Sequence, residues 1–327
     1  MSEDSERRSK LLSLKLRALV RDHVGASEDI EGTPHVFAPG AAFVTSTEVW
    51  VLVENDPARA LGGVLAWASQ FELPVQLLVE KDSSVLARQA SFFAHSVTVW
   101  HVDDRQLLPA VAEPHLAPTA PKPEHLEFVE LIASSGAEPV VEHGVVVGEV
   151  RGLEMCKVVD DAYTGVARLE VGMGAHDREA FSMVHGDLPT EKALRQVIDA
   201  VLPHRSAGAD PHPLNSFGVE RLHRWNAQQN PAALGFDSIE LLEPPVQRAN
   251  VKDAVPCFAV GEKNGERTLL AFVHGVDLSV VPFAVDAAHM HQLTTVKIVA
   301  RKRDVLPVIQ RIAEKSSIAV GFEYLPE

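Results

Sequence analysis

Three short apolar runs in the first third of this chain recur in its last third at an almost fixed distance, and that spacing limits the fold more than any other feature of the sequence. Residues 49–53 (VWVLV), 75–79 (VQLLV) and 97–102 (VTVWHV) are matched by 269–273 (LLAFV), 296–299 (VKIV) and 319–325 (AVGFEYL). The offsets are 269 − 49 = 220, 296 − 75 = 221 and 319 − 97 = 222. The runs are rich in β-branched and aromatic residues and lack polar alternation, the pattern of strands covered on both faces. Helical stripes lie between them: Leu61, Val64, Leu65 and Ala68, then Leu86, Ala90 and Phe93 in the first copy, and Val281, Ala284, Val285 and Ala288, then Val305, Val308, Ile309 and Ile312 in the second. Pro282 and Pro307 stand early in the later pair, where a first turn tolerates proline. Strand, helix, strand, helix, strand is the order of right-handed parallel crossovers. Residues 256–261 and the Asn264-Gly265 turn add a hairpin strand before the second copy, in the place that residues 34–40 hold in the first. The expected fold is α/β, with two related ββαβαβ units flanking a central α+β (αβββα) domain.

The centre reads differently. Residues 124–135 carry Phe128, Leu131 and Ile132 on one helical face; 140–159 and 166–171 read as two or three strands; 177–184 and 190–202 read as helices, the longer with Pro203 beyond its end. The boundaries that follow are 1–33 for an amphipathic helix and connector, 34–112 for the first α/β unit, and 113–123 for a linker holding four prolines. After it come 124–205 for the central domain, 206–250 for a loop-rich connector with a helix near 219–225 and a strand at 238–242, and 251–327 for the second α/β unit.

Lysine and arginine number 30 against 45 acids, a formal charge of −15, with 46% hydrophobic and 23% charged residues. That balance belongs to a folded protein rather than a disordered tail. So acidic a surface argues against nucleic acid as a partner unless cations are gathered in one place. No run reaches the roughly 18 apolar residues of a membrane span, and the charged first 21 residues lack a signal-peptide core. The expectation is a cytoplasmic protein without membrane contact. Cys156 and Cys257 stand far apart in apolar runs and read as buried free thiols.

The densest polar grouping lies in the centre: Glu149, Arg151, Glu154 and Lys157 in VVVGEVRGLEMCKVV, Glu170 in ARLEVGMG, and His176 to Glu179 after it. Carboxylates on adjacent strands converge readily on a hard cation. The αβββα order and these acids resemble the PD-(D/E)XK nuclease core of RecB-like proteins over residues 124–205. Gly172 stands where that family has its motif lysine, which is missing here, and Arg151 stands where it has an aspartate. The resemblance implies a Mg²⁺-dependent nuclease or phosphodiesterase with Glu154 and Glu170 as metal ligands, Glu149 as a further acid, and Lys157 or Arg178 stabilising charge on the phosphate. It equally fits a relic of that fold with a binding role.

Three further groupings carry ordinary readings. The Gly172–Gly174 turn precedes Asp177, which reads as a helix N-cap. Arg221, His223, Arg224 and Trp225 read as a solvated helix face with the indole packed inward. His204, His212 and His223 lack metal-ligand spacing. The strand ends of the first copy are acidic and those of the second basic, which suits packing of the copies, a homodimer, or two ligands. The first functional expectation is therefore a non-catalytic role in binding a protein or small ligand, with no cofactor; the second is the Mg²⁺-dependent enzyme.

Overall fold

A computed structural model of the chain describes residues 3–26, 30–38, 40–115, 117–174, 177–180, 189–206, 208–247 and 255–326. It is a mixed α/β structure with three sheets. The chain forms two compact units, the first from Met1–His115, Val276–Val296 and Lys302–Gly321, the second from the remainder. The division after His115 falls in the proline-rich stretch.

In the first unit a six-stranded sheet runs in the order β1 (Thr33–Phe37), β2 (Gly40–Val44), β3 (Val49–Val53), β4 (Val75–Val79), β5 (Val97–Asp103), β6 (Gln106–Pro109). β3, β4 and β5 are parallel and the other neighbours antiparallel. Every residue of β3 and β4 is buried, because both faces are covered. Helix α1 (Glu3–Val24) lays Leu12, Leu16, Leu19 and Val20 against Phe43, Trp50, Leu52 and Leu78. The parallel crossovers are α2 (Ala60–Ala68) and α3 (Ser83–Ala90).

The same unit holds α8 (Val280–Met290) and α9 (Pro307–Glu314), the helices of the second copy. α3 packs on α8, α2 on α9, and α2 on α8. This is what a pseudo-twofold axis between the copies requires, since α2 corresponds to α8 and α3 to α9. Backbone pairing repeats the point: Ala94 N donates to the Lys315 carbonyl at 2.9 Å and Ser317 N to the Phe92 carbonyl at 2.7 Å. The bridge at their centre joins Phe93 to Ser316, and 316 − 93 = 223 falls beside the repeat offset. Near the axis Gly62 has no room for a side chain, because a Cβ there would stand 1.9 Å from the Leu278 carbonyl oxygen.

In the second unit β7 (Glu138–Glu142), β8 (Val145–Val150), β9 (Leu153–Asp160) and β10 (Ala167–Val171) form an antiparallel sheet in sequence order. After the short α4 (Pro123–Leu126), helices α5 (Val129–Ser134) and α6 (Thr190–Val201) close its core through Ile132, Leu194 and Ile198. The central sheet thus has four strands where the periodicity predicts two or three. The turns explain it: His143-Gly144 and Arg151-Gly152 both have positive φ at each residue (51° and 73°, 48° and 81°), the conformation of tight hairpins. The helix expected over 177–184 is seen at 177–180, and its remaining residues lie outside the described ones.

A five-stranded sheet runs β11 (Ser238–Leu242), β12 (Cys257–Lys263), β13 (Glu266–Phe272), β14 (Thr295–Arg301), β15 (Ala319–Leu325). Its β12-β13-β14-β15 order matches β2-β3-β4-β5. The counterpart of β12 is therefore β2, and β1, antiparallel to β2 as β11 is to β12, holds the place of β11, which corrects the placing of residues 34–40. Helix α7 (Val219–Gln229) packs on β11, β12 and β13. Both cysteines are free and buried, and burial pushes each thiol up to about 12. Among the described residues no helix is long and apolar enough to cross a membrane.

Candidate functional site

The first unit has a cavity of about 200 Å³ between α2 and α9. Its floor is apolar: Leu65 from α2, Phe93 from the paired segment, and Val308 and Ile312 from α9. Helical spacing sets this up, because Val308 and Ile312 are four residues apart and share one face. Its rim is polar, with Ser69 and Glu72 at the end of α2, His95, and Arg311 and Lys315 along the last turn of α9. Arg311 and Lys315 are again four apart and project side by side.

The His95 ring is hydrogen-bonded to the Leu73 backbone, while its Nε2 is buried without a hydrogen-bond partner. Burial first, and Lys315 beside it second, hold the imidazole below the ordinary histidine range. A buried ring nitrogen without a partner is costly unless something supplies one. Among the described residues no carboxylate lies within ion-pair distance of Arg311 or Lys315. The arrangement can take a small molecule with an apolar body and a polar end. Sequence reading missed it, since its nine lining residues come from three segments far apart in the chain; Arg311 and Lys315 above an apolar helix face were the available signal.

The strand ends behave differently from the expectation. Lys15 of α1 reaches Glu54 at 2.8 Å and Glu80 at 2.7 Å, just after β3 and β4, and Arg8 reaches Asn55 at 3.0 Å. The acidic ends of the first copy are thus met by α1.

In the second unit the five residues expected to form a site separate into two groups. Glu154 and Glu170 do converge, and a guanidinium stands between them: Arg178 Nη1 donates to Glu154 at 2.9 Å and its Nε to Glu170 at 3.2 Å. Arg168 adds a second bond to Glu170 at 2.7 Å. Lys157 is the cross-strand partner of Glu170 in the β9–β10 register, so those two share a face. Glu149 is the cross-strand neighbour of Glu154 across the β8–β9 bulge, but its carboxylate is buried with Arg221 and Arg224 of α7. As found, these residues do not fit a bound Mg²⁺, because the Arg178 guanidinium already bonds both proposed ligands. Among the described residues no three His, Cys, Asp or Glu stand close enough to hold a metal.

Arg221 and Arg224 do not form a solvated face. They are 5% and 2% exposed and close a ring of ion pairs with Glu142 and Glu149. Arg221 bonds both carboxylates, and Arg224 meets Glu142 at 3.1 Å and Glu149 at 3.5 Å. The two acids come from neighbouring strands β7 and β8, joined by the His143-Gly144 turn that the sequence reading passed over. Burial opposes the charge on Glu142, but the two guanidiniums outweigh it and hold the carboxyl below the usual range. Trp225 donates its indole N–H to Glu138, and the Arg151 guanidinium lies 5.2 Å over its ring. The Asp177 carboxylate accepts from Met173 N at 2.7 Å and so takes the amide that an anion at this glycine turn would use.

No family model, no curated protein and no solved structure matches this chain.

Proposed function

We propose that this protein acts by binding a small ligand, without chemistry of its own, and that the ligand sits in the α2–α9 cavity of the first unit. One observation carries the reading: a cavity of about 200 Å³ combines an apolar floor with a rim of Ser69, Glu72, His95, Arg311 and Lys315. Pockets of this build, mostly apolar with a few convergent polar groups, are the ordinary form of a small-molecule site. The free buried thiols fit a cytoplasmic setting, and a homo-oligomer is compatible with the same role. The test is a thermal-melt screen of small molecules run in parallel on the wild type and on Ser69→Trp, a rim substitution that fills the cavity. Ligands of this site raise the wild-type Tm saturably and leave the variant unmoved; ligands that stabilise both proteins equally would remove the cavity from the reading.

The alternative, a Mg²⁺-dependent nuclease or phosphodiesterase on the central sheet, keeps one supporting observation, the convergence of Glu154 and Glu170. It requires Arg178 to leave both carboxylates. Titrating Mg²⁺ or Mn²⁺ while following Tm decides it, since a ligand that binds only the folded state must stabilise it. The binding reading expects no shift. A saturable rise that Glu170→Ala abolishes would favour the enzyme.

A further inference from the structure

We infer that the α2–α9 cavity selects a small organic monoanion, a carboxylate carried on an apolar body of roughly the size of a benzene ring. This rests on the binding reading above and adds the chemical class of the ligand.

The size follows from volume, since an apolar cavity of about 150 Å³ holds benzene, and this one measures about 200 Å³. The apolar body follows from Leu65, Phe93, Val308 and Ile312, which offer aliphatic and aromatic surface without a polar atom. The charge follows from the rim. Acids outnumber strong bases in this chain, 45 to 30, and Arg88, Arg59, Lys15 and Arg178 each have a carboxylate partner. Arg311 and Lys315 stand one turn apart at the cavity without one among the described residues. A helix C-terminus accounts for cations at this place, but it supplies no counter-ion and no apolar cavity beneath them. A planar carboxylate suits the arginine fork and the lysine point charge together. Glu72, the single acid of the rim, disfavours dianions.

The experiment is isothermal titration calorimetry on the full chain at low salt. The probes are benzoate and hexanoate, their uncharged counterparts benzyl alcohol and hexanol, and inorganic phosphate. At least one carboxylate binds with one site per chain, at least tenfold tighter than its alcohol and than phosphate. In the double variant Arg311→Gln/Lys315→Gln, whose two sites are exposed and whose folding is checked by circular dichroism, the carboxylate loses at least tenfold while the alcohol is unchanged. An alcohol that binds as well as its carboxylate overturns the anionic class and leaves the binding reading intact. Phosphate equal to the carboxylates overturns the apolar body. Failure of both carboxylates to bind overturns the inference, and the small-molecule screen with Ser69→Trp then decides the binding reading separately.

Discussion

The pseudo-twofold axis of the first unit gives its helix layer two equivalent flanks, α3 on α8 and α2 on α9, and the two have been filled in opposite ways. On the α3–α8 flank Asp286 is fully buried, clasped by Arg88 through two bonds of 2.9 and 3.1 Å, and joined by Gln89 at 3.1 Å and His115 at 2.6 Å. Phe92 and His289 stack beside it with centroids 3.8 Å apart. The α2–α9 flank has no such acid; there the cations face a cavity. Two copies of one layout thus diverge into a sealed side that fixes the helix layer and an open side free to take a ligand. Under the proposed function, stability is concentrated on the first and binding on the second.

The largest expected effect breaks the sealed flank. Asp286→Ala leaves the buried Arg88 guanidinium without its carboxylate, and losing one member of a buried pair costs about 3–5 kcal/mol. Urea denaturation should show the midpoint falling with little change in slope. Because replacing both members by apolar residues removes the stranded charge, Arg88→Met/Asp286→Leu should recover most of that loss. A double variant as unstable as the single one would show that the flank is held by something other than this pair.

Next in size is the axis itself. Gly62→Ala would gain helix propensity, but its Cβ meets the Leu278 carbonyl oxygen at 1.9 Å, backbone that cannot rotate away. Overpacking of this kind costs about 1–3 kcal/mol, read as a lower Tm. Gly63→Ala, one residue on and with nothing within 4 Å of its Cβ, serves as the control and should be neutral or slightly stabilising. A smaller effect sharpens the contrast from the other side: Arg311→Gln, exposed and without a carboxylate partner among the described residues, should move stability by no more than about 0.5 kcal/mol, although under the inference above it should weaken carboxylate binding.

How far the sequence disclosed this arrangement depends on whether the signal was periodic or spatial. The repeat was legible because β3, β4 and β5 and their counterparts are runs covered on both faces, where burial forces composition. The Asn264-Gly265 hairpin was legible because its residues are the usual ones for two positive φ angles. His143-Gly144 and Arg151-Gly152 adopt the same backbone with less typical first residues, so β7 merged with β8 in the reading, and the face on which Glu142 meets Arg221 went with it. The acids Glu154 and Glu170 stand on adjacent strands and share the Arg178 guanidinium. What lay between them was not legible, since Arg178 reaches them from a different element, beyond the turn that follows β10. The cavity was the least accessible of all, because it exists only where α2 and α9, about 240 residues apart along the chain, come side by side.

The smallest effect separates the flanks by pH. Burial lowers the imidazoles of both His95 and His289, so the unfolded chain binds more protons than the folded one as pH falls below about 6.5. Each histidine therefore contributes stability that is present above that pH and lost below it. His95 faces Lys315, Arg311 and Glu72; His289 faces His115 and Asp286, and the Asp286 carboxylate moderates its shift. His95→Gln should reduce the loss between pH 7.5 and 5.5, measured by urea unfolding at each pH. A carboxylate bound above His95 opposes Lys315 and restores its proton affinity, so the ligand should cancel that part of the slope in the wild type and change nothing in the variant. His289→Gln should keep the ligand's influence whole, because the anion never reaches the sealed side.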